Sequence, residues 1–130
     1  MGLRWYHLVV DASDPSSLAR WWADVLGWDV TYEDEDETDI APAWAADEQL
    51  AWERQRPQMV FVPVPEDKTI KNRLHLDLAP HLDDDRDAEI QRLLHRGATR
   101  VDVGQGPDVS WEVLADPEGN EFCVLSARRE

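Results

Sequence analysis

Asn72-Arg73-Leu74-His75-Leu76-Asp77-Leu78-Ala79-Pro80 reads as a strand with two unlike faces. Leu74, Leu76 and Leu78 alternate with Arg73, His75 and Asp77, the two-residue period of a strand that is apolar on one side and polar on the other. The segment Arg4-Trp5-Tyr6-His7-Leu8-Val9-Val10 repeats the arrangement, with Tyr6, Leu8 and Val10 alternating with Trp5, His7 and Val9 and a histidine again in fourth place. The stretch after each strand repeats as well. Asp14-Pro15 is a helix start, and the apolar stripe Leu18, Trp22, Val25 and Leu26 closes at Gly27. After Pro80 an acidic first turn leads to Ile90, Leu93 and Leu94, and closes at Gly97. The histidine-to-glycine spacings, 7 to 27 and 75 to 97, are nearly equal. A period of about 70 is too long for a solenoid repeat and fits two half-domains.

The remaining segments fill in each half. Trp28-Asp29-Val30-Thr31-Tyr32 alternates and reads as a strand, and the acidic run Glu33-Asp34-Glu35-Asp36-Glu37 reads as a solvated hairpin turn or loose edge. Residues 39–57 have no clear period: Trp44, Leu50 and Trp52 sit among polar neighbours, compatible with a short helix or an ordered loop. Met59-Val60-Phe61-Val62 is a strand ended by Pro63 and Pro65, and residues 66–71 form a polar link. Asp83 to Asp85 favour the positive end of a second helix, with Arg92 and Arg96 toward its negative end. Residues 100–103 and 111–115 read as strands. Asp116-Pro117-Glu118-Gly119 is a turn into a last strand at 120–125. The expected fold is one α+β domain made of two βαβββ modules, 1–65 and 71–130, forming an open cup-like mixed sheet with the helices on its convex side. Tyr6, Leu8, Val10, Leu74, Leu76 and Leu78 are expected under the helices. Trp5, His7, Arg73, His75 and Asp77 would then face the cup, where polar groups need partners or a function.

Composition narrows the partners. Hydrophobic residues make up 42% of the 130-residue chain, enough for a core, and 28 acidic against 13 basic residues leave a net charge of −15. Such a surface repels phosphate backbones, so nucleic acid is not an expected partner. No apolar run reaches membrane-spanning length and the N-terminus lacks a signal-peptide pattern, so a cytoplasmic protein is expected. The single cysteine, Cys123, fits a reducing compartment. Serines 13, 16, 17, 110 and 126 sit at helix starts or strand ends, where capping explains them, and Gly104-Gln105-Gly106 lacks the surroundings of a nucleotide loop. His81 and His95 read as surface residues.

The βαβββ duplication, the first-strand histidine, Lys71-Asn72-Arg73-Leu74-His75-Leu76-Asp77-Leu78 and the ending Asp116-Pro117-Glu118-Gly119-Asn120-Glu121-Phe122-Cys123-Val124-Leu125 resemble the vicinal oxygen chelate superfamily, and within it the glyoxalase-like domains. The resemblance covers nearly the whole chain. It implies a cup, often dimeric, in a superfamily that includes glyoxalases, extradiol dioxygenases, epimerases, fosfomycin-modifying enzymes and metal-free bleomycin-binding proteins. The family's two metal-binding histidines fall on His7 and His75. Its last-strand carboxylate falls on Cys123, while Glu121 lies on the same strand face two residues earlier.

The resemblance therefore implies a metal set of His7, His75 and Glu121, with Glu121 as catalytic residue, holding zinc, iron, manganese or nickel as a Lewis acid with open positions. Cys123 as ligand in place of Glu121 would favour zinc. Trp5, Phe61, Arg73, Asp77 and Cys123 are the expected substrate-binding residues, with Trp44 or Trp111 as further stacking surfaces. Simpler roles compete: a strand histidine satisfied by a carbonyl or by Asp77, Asp77 paired with Arg73, and Cys123 as a small buried hydrophobe. Two functions stay open. One is a metal-dependent lyase, isomerase or dioxygenase; the other is a metal-free small-molecule or drug-sequestering protein of the bleomycin-resistance type. A homodimer is expected in either case.

Overall fold

Asp14 fixes the start of the first helix. Its carboxylate accepts a hydrogen bond from the Ser17 backbone N–H at 3.2 Å, and Pro15 takes the first helical position, where a missing N–H has no partner to lose. The structure is a computed structural model that describes residues 3–46, 57–106 and 109–128. The chain divides into two compact units, Met1–Asp67 and Lys68–Glu130.

The first unit runs β1 (Leu8–Ala12), α1 (Pro15–Leu26), β2 (Asp29–Glu33), β3 (Thr38–Ala41), a short 3-10 turn (Ala43–Ala46) and β4 (Met59–Pro63). Its sheet has the order β1-β4-β3-β2, with β1 parallel to β4 and the other neighbours antiparallel. Helix α1 buries Leu18, Ala19, Trp22 and Ala23 and packs across β2, β3 and β4. The helix ends at Gly27, whose φ of 68° is left-handed and lets Trp28 N–H reach back to the Ala23 carbonyl at 2.8 Å. Arg20 ties α1 to β2 through both oxygens of Glu33, at 2.7 and 3.0 Å. Hydrogen bonds from Arg20, then from Ser16 and Thr38, bring the Glu33 carboxyl down to about 2. The acidic run is a hairpin turn as expected: Asp34 Oδ1 accepts from the backbone of Asp36 and Glu37 at 2.7 and 3.0 Å.

Strand β3 runs from Thr38 into the start of the stretch that shows no period in the sequence. All four of its residues are buried, so there is no alternation to read. One of them is Asp39, 8% exposed, which accepts from Gln58 Nε2 at 3.2 Å. Burial, and next the neighbouring Glu37 carboxylate, push its carboxyl up to about 7. Leu50 and Trp52, from the same unreadable stretch, lie outside the described residues.

The second unit runs β5 (Asp77–Leu78), α2 (Arg86–His95), β6 (Thr99–Arg100), β7 (Glu112–Ala115) and β8 (Glu121–Val124). Its sheet order is β5-β8-β7-β6, with β5 parallel to β8 and the rest antiparallel, the same plan as the first unit. Asp85 caps α2 by accepting from Asp87 and Ala88 N–H at 2.9 and 3.3 Å, and Ile90 and Leu93 are buried. Asp116 closes the last hairpin, accepting from the N–H groups of Glu118 and Asn120, each at 2.9 Å. Each unit is therefore strand, helix and three strands in an open mixed sheet, the α+β duplication expected from the repeated histidine strands.

Both leading strands are shorter than expected. Asp77 pairs with Cys123, so counting back puts Leu74 level with Asn120, where β8 has not begun. With no ladder to join, Leu74 is 86% exposed. Tyr6 likewise precedes β1 and is 60% exposed, not covered by a helix. The strand expected at 100–103 is reduced to Thr99–Arg100. No described helix is long and apolar enough to cross a membrane.

Candidate functional site

The register of β5 on β8 brings three chemically capable side chains together in the second unit. The Cys123 N–H donates to the Leu76 carbonyl at 2.9 Å and the Leu125 N–H to Leu78 at 2.8 Å, which fixes Cys123 beside Asp77. His75 stands two residues before Asp77, on the same side of an extended chain. Its Nδ1 lies 3.2 Å from Asp77 Oδ1 and 3.8 Å from Cys123 Sγ. One ligand atom from each of the three lies within 4.8 Å of the others. Cys123 is 7% exposed, whereas His75 and Asp77 are open to solvent. Burial first, and then the Asp77 carboxylate, push the Cys123 thiol above its ordinary range, so at neutral pH it carries its proton.

These residues form part of the wall of a cavity of about 400 Å³. Trp111, Val103, Val113 and Phe122 supply apolar surface, and Lys71, Asn72 and Gln105 supply polar groups. Trp111 is 38% exposed. Every lining residue belongs to the second unit.

Glu121 also lines the cavity, but its carboxylate is already engaged. Lys68 Nζ stands 2.7 Å from Oε2, and the Asn72 backbone N–H donates to the same oxygen at 3.2 Å. Burial alone would raise this carboxyl; the hydrogen bonds from Lys68 and from the backbone outweigh it, and the group ends below its ordinary range. A carboxylate that shares its charge with an adjacent ammonium is a poor ligand for a second cation, which that ammonium would repel. The ligand set of His7, His75 and Glu121 implied by the family resemblance therefore does not fit the residues as they stand.

The other expected site residues are described within their own units. His7 belongs to the first unit, just before β1, its ring 4.7 Å from that of Tyr6, and its buried Nδ1 has no hydrogen-bond partner. Trp5 is exposed. Phe61 is 0% exposed in the central strand β4, between Val10 and Thr38, which leaves no ring face open to a ligand. Arg73 is exposed and is not one of the residues lining the cavity. Sequence reasoning missed Lys68, Lys71 and Gln105. The signal for Lys68 was a buried carboxylate on a strand with no basic residue near it in sequence; Gln105 was passed over with the glycines beside it.

Residues 7–125 match the glyoxalase-like domain family. No curated protein matches the sequence significantly. Among solved structures, a fosfomycin resistance protein, FosX, from Listeria monocytogenes, complexed with manganese(II) and a dihydroxypropylphosphonic acid, is 10% identical with a TM-score of 0.70, covering 98% of this chain and 93% of that one. A glyoxalase/bleomycin resistance protein/dioxygenase family enzyme from Burkholderia phytofirmans is 14% identical with a TM-score of 0.66, covering 94% and 97%. A bleomycin-binding protein from Streptomyces verticillus, complexed with copper(II)-bleomycin, is 16% identical with a TM-score of 0.55, covering 98% and 99%. At these identities the likeness is one of fold.

Proposed function

Because this chain belongs to the glyoxalase-like domain family, we propose that it binds a small organic molecule in the cavity of its second unit. The observation that carries this reading is the make-up of the cavity wall. Partly exposed Trp111, with Val103 and Val113, lines one concavity together with Asp77 and His75, whose side chains are open to solvent. At about 400 Å³ the cavity sits at the small end of the range for ligand sites, roughly 300–1,000 Å³. The ligand that fits is small and planar, stacks on Trp111, and carries a hydrogen-bond donor that reaches Asp77.

This is the metal-free binding reading. The metal-dependent lyase, isomerase or dioxygenase reading draws support from a fold neighbour complexed with manganese(II), but Glu121 in its salt bridge gives no support to the ligand set it requires. A homodimer and a cytoplasmic address belong to the same proposal. Exposed Leu3, Trp5 and Ile70 supply apolar surface for the first, and a lone free thiol agrees with the second.

Tryptophan fluorescence tests the binding reading. In the presence of a chelator, a panel of small aromatic amines and phenols is titrated into wild type and Trp111→Ala. At least one compound is expected to quench wild type saturably and to lose most of that effect in the variant. Saturable quenching that survives in Trp111→Ala, or no saturable response to any compound, would overturn the assignment of the site.

A further inference from the structure

Strand β3 presents different residues on its two sides. Thr38 and Ile40 face α1: both are buried, and Thr38 Oγ1 donates to the Glu33 carboxylate that Arg20 of α1 also holds. Glu37 and Asp39 alternate with them and fall on the opposite side. A register shift between Val30 and Tyr32 sets Tyr32 level with Asp39. Gln58, just before β4, donates to Asp39 Oδ2 at 3.2 Å. The other oxygen, Oδ1, is buried with no hydrogen-bond partner, in a residue only 8% exposed. The group beside it is the carboxylate of half-buried Glu37, an acceptor like itself, with that of Asp34 next in range. Asp34 is already engaged, taking the Tyr32 hydroxyl on Oδ2 at 2.6 Å and two backbone N–H groups on Oδ1. None of the ion pairs among the described residues reaches Glu37 or Asp39.

A buried carboxylate oxygen set beside a second carboxylate needs a positive charge between the two, because a polar group buried without a partner is costly. A shared proton is one occupant and a metal ion the other. We propose that Glu37 and Asp39 hold one hard divalent cation, with magnesium the best match, on the face of the first unit's sheet that α1 does not cover. Charge selects a divalent ion: two carboxylates balance a double positive charge, whereas a monovalent ion would leave one negative charge uncancelled beside Asp34. Donor type selects a hard one, since every side-chain donor here is oxygen. The bond from Gln58 to Oδ2 leaves Asp39 a single free oxygen and fixes its direction, the orienting role that outer partners play at metal sites. Water completes the shell, and magnesium is the ion that keeps several waters while bound through one or two carboxylates. The site belongs wholly to the first unit and does not rest on the cavity of the second.

Manganese(II), a paramagnetic stand-in for magnesium, reads the site directly, because electron paramagnetic resonance counts the free ion. Chelator-stripped protein at pH 8 is titrated with manganese and then with magnesium up to about 10 mM, some tenfold above the dissociation constants of weak protein calcium sites. Wild type is expected to bind one manganese per chain and to release it as magnesium is added. Asp39→Asn, which keeps the shape of the side chain, is expected to weaken binding about tenfold or more, and Glu37→Gln by a similar factor. Circular dichroism checks that both variants are folded. Glu35→Gln removes one charge from the same exposed turn without removing a ligand, and is expected to change affinity less than about twofold. Asp77→Asn and Trp111→Ala are expected to bind manganese as wild type does, so failure of this site and failure of the cavity reading give different results. Four outcomes would each overturn the proposal: binding unchanged in folded Asp39→Asn, a loss in Glu35→Gln as large as in Glu37→Gln, bound manganese that magnesium does not displace, or a folded wild type that takes up no manganese saturably. In the last case a shared proton alone fills the gap between the two carboxylates.

Discussion

Lys68 gives Glu121 the countercharge that burial demands. The side chains are about one-fifth and one-tenth exposed, so this is a largely buried pair whose loss leaves a charge with little water around it. Lys68→Met is expected to destabilise by about 2 kcal/mol, less than the 3–5 of a fully buried pair because the lysine is partly solvated. The Glu121 carboxyl is held below its ordinary 4.5, so its contribution is full above that pH and is lost as pH falls through the lower folded value. Urea unfolding at pH 7 and in the acid range should therefore show the variant weaker at pH 7 and less sensitive to acid; equal stability at pH 7 would refute the pairing. Asp39 has the opposite sign. Its carboxyl is raised from 3.8 to about 7, so between those values the folded chain keeps a proton that the unfolded chain has released, and stability declines as pH rises. Asp39→Asn removes the titration while an amide can still accept from Gln58. Above pH 7 it is expected to gain about 1–3 kcal/mol, with a flattened profile between pH 4 and 7. A variant that keeps the wild-type slope would show that Asp39 is not its source.

At the scale of elements, α1 shows what a sequence can fix by itself. Asp14, Pro15 and Gly27 are start and stop signals that act within a few residues, and the helix runs from Pro15 to Leu26 as they require. Asp14→Ala is expected to cost about 1 kcal/mol through the lost bond to Ser17 N–H, read as a lower melting temperature with an unchanged folded-state spectrum; no change would mean that the cap is carried by other groups. Elements whose limits depend on distant partners were less legible. Thr38-Asp39-Ile40-Ala41 is buried on both faces between β2 and β4, so period two never shows. The apolar alternation at Leu74 is real in the sequence, but the edge strand it belongs to can pair only as far as β8 extends. The candidate site obeys the same rule. His75, Asp77 and Cys123 each stood out as residues, yet only the pairing of Asp77 with Cys123 makes them neighbours, and no local pattern encodes that register.

For the molecule as a whole, the dominant electrostatic fact is the surplus of 28 acidic over 13 basic residues. Among the described residues, Arg20–Glu33, Lys68–Glu121, Arg92–Glu89 and Arg100–Glu112 are paired within 4 Å. Salt acts in opposite directions on the pairs and on the surplus charge: it weakens the pairs, whose exposed members are worth about 0–1 kcal/mol each, and it relieves repulsion among the surplus carboxylates. With a net charge of −15 the second effect wins. Raising sodium chloride from about 10 mM to about 1 M shortens the screening length from about 30 to 3 Å, so the melting temperature at pH 8 is expected to rise with salt. Near pH 4.4, where the net charge vanishes, the repulsive part is gone and only the pairs remain to be screened. There the rise should disappear or reverse. An equal rise at both pH values would trace the effect to salting-out of apolar surface instead of charge, and a fall at pH 8 would mean that the ion pairs outweigh the repulsion.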